Sequence, residues 1–284
     1  MKLSGVLVEC VINISEGRDK AVLPALEEAA RPTLRDRHSD PDHHRSVFTL
    51  VGSADQVTAS AQALARAAVA SIDLGPHQGV HPRLGVLDVV PFVPYAPAGL
   101  PPSDLSDVIE LRDQFAHWIA TELGVPAFLY GPRPGEPGER TLPEVRRGAF
   151  ERFGPDAGPP EPHPSAGACA VGARPVLIAY NVWVPSAAVA QALAPLVRRP
   201  EVRALGLEVA GRGQVSCNLI DPAAVGPAEL YDEVDRLAQK HETGVRAQGA
   251  ELVGLLPESI LARVPPERWA QLGLGSDRTV ESRL

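Results

Sequence analysis

Five of the chain's eight histidines stand between His38 and His81, in two short segments. The first is His38-Ser-Asp-Pro-Asp-His43-His44-Arg45, and the second is His77-Gln-Gly-Val-His81-Pro-Arg83. Imidazole takes up and returns a proton near neutrality and also ligates transition metals, so the clustering marks a chemical centre. Two chemistries suit these residue types. One is proton transfer by a histidine. The other is metal-assisted hydrolysis drawing on His38, Asp40, His44, His77 and His81. His77 and His81 are four residues apart, but Gly79 and Pro82 argue against the helix that would turn both rings toward one ion. Gln78 also stands where a metalloprotease helix carries Glu. Asp and His in a polar loop are commonly turn formers, so no metal is expected.

Other polar residues could serve such a centre. Asn13 and Ser15 end the first apolar run and read as helix-capping groups or substrate ligands. Arg45, Arg83 and Arg174 carry guanidinium groups suited to bidentate pairing with carboxylates. The segment from Gly167 through Gly172 to Arg174 reads as a loop folded close to an anion. Asp36 and Asp88 read as strand-ending residues, and Cys10 and Cys217 as core thiols.

The elements that must position these groups follow from periodicity. Val6 to Ile14 is β-branched and apolar, as a strand requires, and Asn13-Ile-Ser-Glu-Gly17 signals a turn into a helix. Extended segments are expected at Thr33–Asp36 and Arg45–Val51, with the first His segment as the loop between them. Ser53-Ala-Asp-Gln56 is a capping box, followed by Val57, Ala61, Leu64, Ala68 and Ile72 at helical spacing. After the second His segment come a strand at Val86–Val93, a helix capped by Ser103, and a strand at Val125–Tyr130. Residues 131–168 are rich in Pro and Gly and read as a long functional loop or linker. Beyond them the order strand, helix, strand, strand, helix, strand appears at Val176–Trp183, Ser186–Val197, Val202–Val209, Gln214–Ile220, Pro227–Glu242 and Val245–Leu252. Pro195 is expected to kink or end its helix. This βαββαβ order is that of a ferredoxin-like unit. The first half shows it too, with one further helix–strand pair. The expected class is therefore α+β, with two ferredoxin-like subdomains at 1–173 and 174–284 and a cleft between their sheets.

Composition narrows the function. The formal net charge is −8 and no block of Lys or Arg occurs, which argues against a nucleic-acid surface. No apolar run approaches the roughly 20 residues of a membrane span, and the start lacks the apolar core of a secretory signal. Cys10, Cys169 and Cys217 are few, odd in number and far apart, which reads as a reduced, cytoplasmic protein.

The motifs together resemble the formiminotransferase family. The resemblance is carried by Val8-Glu-Cys-Val-Ile-Asn-Ile-Ser-Glu-Gly17, by the two His segments extended to Thr49 and Asp88, and by Leu129-Tyr-Gly131. Arg140-Thr-Leu-Pro-Glu-Val-Arg146, Gly167-Ala-Cys-Ala-Val-Gly-Ala-Arg174, Gln214-Val-Ser-Cys-Asn-Leu-Ile220 and Gln248–Val253 complete it. What the resemblance implies is transfer of a formimino group from N-formimino-L-glutamate to tetrahydrofolate, the co-substrate, as a late step of histidine breakdown. It also implies a folate-binding groove between the two subdomains and a homodimer. His81 matches the family's catalytic histidine, with Asn13, Ser15, His38, Asp40, Arg45 and Arg83 expected around the substrate. The resemblance assigns folate to Gly158, Pro159, Pro164, Ser165, Gly167, Gly172 and Arg174, and to Gln214, Ser216 and Asn218. The chain ends at Leu284, so a cyclodeaminase, fused to this domain in mammals, is expected as a separate protein. The chain departs from the family at Ile12, at His38 where animal members carry an acid, and at Ala157 and Ala166 where aromatic residues are frequent. Three alternatives stand beside this reading: a formyl-transferring relative, the metal-dependent hydrolase, and a catalytically silent folate-binding protein.

Overall fold

The computed structural model describes residues 7–97, 104–133, 135, 139–241 and 244–284. Ser103, expected as a helix cap, lies outside the described residues. The chain divides into two units, Met1–Pro175 and Val176–Leu284.

The first unit runs β1 (Leu7–Ile14), α1 (Val22–Ala29), β2 (Leu34–Asp40), β3 (Arg45–Ser53), α2 (Ala54–Ser71), β4 (Leu87–Tyr95), α3 (Ser106–Glu122), β5 (Ala127–Tyr130), α4 (Leu142–Gly148) and β6 (Cys169–Ala173). Its six strands lie in the order β2-β3-β1-β4-β6-β5. The first four are antiparallel, and β6 is parallel to both β4 and β5. Side chains alternate across the sheet. Ile12, Leu50, Val90, Val171 and Ala127 therefore face a core shared with α2 and α3, while Val89, Ala170, Phe128 and Tyr130 pack with Val145 of α4. The α2 stripe Val57, Ala61, Leu64 and Ala68 is fully buried, and Gln56 N donates to Ser53 Oγ at 3.4 Å in the expected capping box.

Three elements differ from expectation. His38 is not in a loop: β2 continues through it to Asp40, leaving only residues 41–44 as the turn. Beyond Leu34 the strand is polar, because it is the edge strand and half-exposed at every position. The 167–174 segment is likewise not an anion loop, since Cys169–Ala173 is a fully buried strand between β4 and β5. Its Cys, Ala and Gly residues give little strand signal, and the sequence Leu129-Tyr130 explains the need for one of them. A side chain at Gly172 would occupy the Tyr130 ring. The Pro/Gly-rich stretch also holds α4, opened by a Thr141–Glu144 capping box. The appended piece is thus two helices and two strands rather than one pair.

The second unit has β7 (Ile178–Val184), α5 (Ala187–Val197), β8 (Val202–Val209), β9 (Arg212–Leu219), α6 (Pro227–His241) and β10 (Ala250–Val253), then α7 (Glu258–Leu261), α8 (Trp269–Leu272) and short 3-10 turns. Its antiparallel sheet has the order β10-β7-β9-β8. The antiparallel part of the first sheet shows the same sequence of connections. Tyr180, Val182, Val215, Cys217 and Leu219 face the α5 and α6 core. Gln214, Ser216 and Asn218 alternate with those β9 residues and stand on the opposite face, beside Trp183, Asn181 and Ala179. Pro195 lies in the last turn of α5, which ends two residues later.

Candidate active site

The histidine segments meet at one end of the first sheet, where β1 and β2 finish and β3 and β4 begin. Antiparallel pairing dictates this: Ile14 stands opposite both Ser46 and Leu87, and Asp40 stands opposite Arg45. The turn at 41–44 and the loop at 77–83 are thereby placed side by side, and Val80 N donates to Asp42 O at 3.2 Å.

At the floor lies Asp88, fully buried at the start of β4. An acid in a buried strand requires cations, and two arrive. Arg45 Nη1 approaches Asp88 Oδ2 at 2.5 Å, and Arg146 Nη2 reaches the same oxygen at 2.5 Å while its Nη1 donates to Oδ1 at 3.0 Å. Leu84 N adds a bond to Oδ1 at 2.6 Å. Burial would push this carboxyl up, but the charges of Arg45 and Arg146 outweigh it and hold Asp88 well below the usual carboxylate range. Asp88 is therefore not a strand-ending residue, and Arg45 is already engaged. Its Nε also donates to Asn13 Oδ1 at 3.2 Å. The sequence marks Asp88 only as a strand end and Arg146 only as part of a family motif, and shows no sign that the two pair. The signal present was a lone acid in Leu-Asp-Val-Val-Pro-Phe-Val.

His81 is half-buried above this triad. Burial, and then the charge of Arg45, push its imidazole down to about 3, with Asp88 only partly offsetting. Its Nδ1 lies 2.6 Å from Pro82 O. A carbonyl only accepts, so Nδ1 carries the proton and Nε2 keeps its lone pair. Among the described residues no group is bonded to Nε2. Arg146 Nη1 also donates to Pro82 O at 3.3 Å, and Arg83 Nη2 to His81 O at 2.9 Å. The His43 ring lies 6.0 Å from that of His81.

A second cluster borders the first. His44 Nε2 lies 3.1 Å from Glu16 Oε1, its Nδ1 lies 3.0 Å from Gln78 O, and its ring stacks on His77 at 3.8 Å. His77 is bonded to Arg83, and burial followed by the Arg83 charge lowers it to about 4. Arg83 forms no bridge to a carboxylate among the described residues, so its cation remains available to a ligand. With their nitrogens so engaged, His44 and His77 do not converge on an ion. Among the described residues no group of three or more His, Cys, Asp or Glu does.

The remaining candidates are placed as follows. Ser15 Oγ donates to Gly85 O at 2.8 Å and fastens the segment that leads from His81 to Asp88. Asp40 Oδ1 accepts from Asp42 N at 2.8 Å and His43 N at 2.7 Å, which makes it the turn former. His38 sits on β2 opposite Val47. Ser165 and Gly167 are bonded to residues that flank the His81 segment: Leu74 N donates to Ser165 O at 2.8 Å, and Gly85 bridges Gly167. Gly158, Pro159 and Pro164 are exposed, with Gly158 against Ala120 and Pro126. Gly172 and Arg174 stand at the other end of β6, where Arg174 N bonds Phe92 O at 3.2 Å. Gln214, Ser216 and Asn218 belong to the second unit.

Known proteins resemble this chain over most of its length. The family described as formiminotransferase domain, N-terminal subdomain, matches residues 7–174. The chain is 34% identical to a glutamate formimidoyltransferase of Streptococcus pyogenes over 280 residues, 91% of each chain. It is 32% identical to one of Thermoplasma acidophilum over 282 residues, 91% of this chain and 90% of that one. A formimidoyltransferase-cyclodeaminase of Sus scrofa is 35% identical over 278 residues, 88% of this chain but 50% of its own length. The chain belongs to the formiminotransferase family.

Proposed function

We propose that this protein transfers the formimino group of N-formimino-L-glutamate to N5 of tetrahydrofolate, releasing glutamate and 5-formiminotetrahydrofolate. The observation that carries the reading is His81: a neutral imidazole anchored through Nδ1 with Nε2 unclaimed. N5 must lose a proton as it attacks, and the departing glutamate nitrogen must gain one. His81 Nε2 performs both transfers, a service worth about 10²- to 10⁴-fold in rate. Burial, and then the charges of Arg45 and Arg146, hold the ring neutral. An arriving substrate carboxylate offsets them and brings the imidazole closer to the range where acid–base catalysis is most effective. Arg83 receives that carboxylate, since Arg45 is bound to Asp88 and Asn13.

The folate assignments to Ser165 and Gly167 are supported by their bonding to Leu74 and Gly85, which flank the His81 segment on either side. Those to Gly158, Pro159, Pro164, Gly172, Arg174, Gln214, Ser216 and Asn218, and a folate groove between subdomains, rest on the family resemblance. The βαββαβ order with the last strand beside the first in each unit supports two ferredoxin-like subdomains. A homodimer, a separate cyclodeaminase and a cytoplasmic location complete the proposal. No described helix is long and apolar enough to cross a membrane. The test is a spectroscopic assay offering formiminoglutamate and formylglutamate in parallel with tetrahydrofolate. Turnover of the formimino donor is expected; turnover confined to the formyl donor, or none, overturns the reading.

A further inference from the structure

The segment that carries His81 has little regular structure of its own, yet it is fastened at several points to the turn before β3. Gly79 is pressed so closely against the His43 carbonyl oxygen that a side chain there would collide with it. His44 supplies the polar part of this attachment. Its backbone is held at φ 49°, in the left-handed region that non-glycine residues seldom adopt. That conformation turns the ring between two acceptors, Glu16 Oε1 at 3.1 Å and Gln78 O at 3.0 Å. Glu16 is itself fixed, because Oε1 also accepts from Arg18 N at 2.7 Å and Asp19 N at 2.9 Å. On its flat side His44 stacks on His77 at 3.8 Å, and His77 bonds Arg83, which donates to His81 O at 2.9 Å. Two contacts thus leave His44 for the 77–83 loop, at Gln78 and at His77, and Arg83 extends the second to His81 O.

We propose that His44 is a positioning residue for formimino transfer: it holds the Gln78–Arg83 loop so that His81 Nε2 faces the reacting nitrogen. The inference rests on the function proposed above, with His81 as the proton carrier. Misplacing a catalytic group by about an ångström costs rate far more than binding, so the effect belongs in kcat.

The test compares three variants of the full chain. His44→Ala removes both ring bonds and the stack. His44→Asn tolerates the left-handed backbone and places an amide N–H near the position of Nδ1, so it keeps the bond to Gln78 O. His44→Gln reaches toward Glu16 instead. We expect His44→Ala to lower kcat by about tenfold or more with KM within about threefold, His44→Asn to recover most of that loss, and His44→Gln to remain low. The Asn and Gln pair decides the matter should the Ala variant fail to fold. A second readout is independent of turnover. Nuclear magnetic resonance of the His81 ring should show the Nδ1–H tautomer in the parent protein and its loss or averaging in His44→Gln. Wild-type kcat in His44→Ala, equal impairment of the Asn and Gln variants, or an unchanged His81 ring signal would each overturn the proposal. Absence of formimino transfer by the parent protein would instead overturn the functional reading, with the ring signal still deciding whether His44 positions the loop.

Discussion

Arg146 donates two hydrogen bonds to Asp88, at 3.0 Å and 2.5 Å, and so ties α4, from the Pro/Gly-rich stretch, to the strand beneath His81. Arg45 completes the triad from β3. Three segments far apart in sequence are locked by one buried carboxylate.

Removing that carboxylate's charge leaves two partly buried guanidiniums facing each other. Asp88→Asn is expected to destabilise the first unit by about 3–5 kcal/mol, read as a lowered urea midpoint. An unchanged midpoint would show that the triad contributes little to folding.

Acid sensitivity should begin above the carboxylate range. His81 and His77 are held down at about 3 and about 4 in the fold, whereas an unfolded chain protonates histidine near 6.5. As pH falls below about 6.5 the unfolded state therefore binds protons that the folded state refuses, and stability drops. Asp88 adds to the loss only at lower pH, because its depressed carboxyl stays charged in the fold. Between pH 6 and 4.5, His81→Asn should remove up to about 1.4 kcal/mol per pH unit from the slope of stability against pH. Identical slopes in parent and variant would contradict the depressed imidazole.

Arg83 and Arg45 should part company in kinetics. Arg83→Ala is expected to raise KM for the glutamate-bearing substrate by the worth of a charged hydrogen bond, about 1.5–3 kcal/mol. Arg45→Ala should act mainly on stability, through Asp88. Unaltered KM in the Arg83 variant would place the substrate carboxylate elsewhere.

Gly172→Ala puts a methyl group into the space of the Tyr130 ring. Overpacking of this kind costs about 1–3 kcal/mol, measured as a lowered melting temperature. A neutral result would mean that the ring yields.

Much of this arrangement was legible in the sequence, and the illegible parts share a cause. The capping box at Ser53 and the α2 stripe are local patterns, and both are found where periodicity puts them. The histidine segments announced a centre because histidine is scarce. Cys169–Ala173 was misread because a strand buried on both faces and hemmed by Tyr130 must use small residues, which resemble a glycine loop. Arg45 looked free for a ligand because its partner, Asp88, lies 43 residues away in sequence, and only the antiparallel register of β1 with β3 and β4 joins them. His44 gave no sign of its left-handed backbone.

The most direct test of the central claim is the rate of formimino transfer to tetrahydrofolate by His81→Asn. Asn retains an amide N–H near Nδ1 and has no base in place of Nε2. The account predicts a fall in kcat of about 10²- to 10⁴-fold with substrate affinities within a few fold. A variant that turns over at the parent rate would show that another group carries the proton.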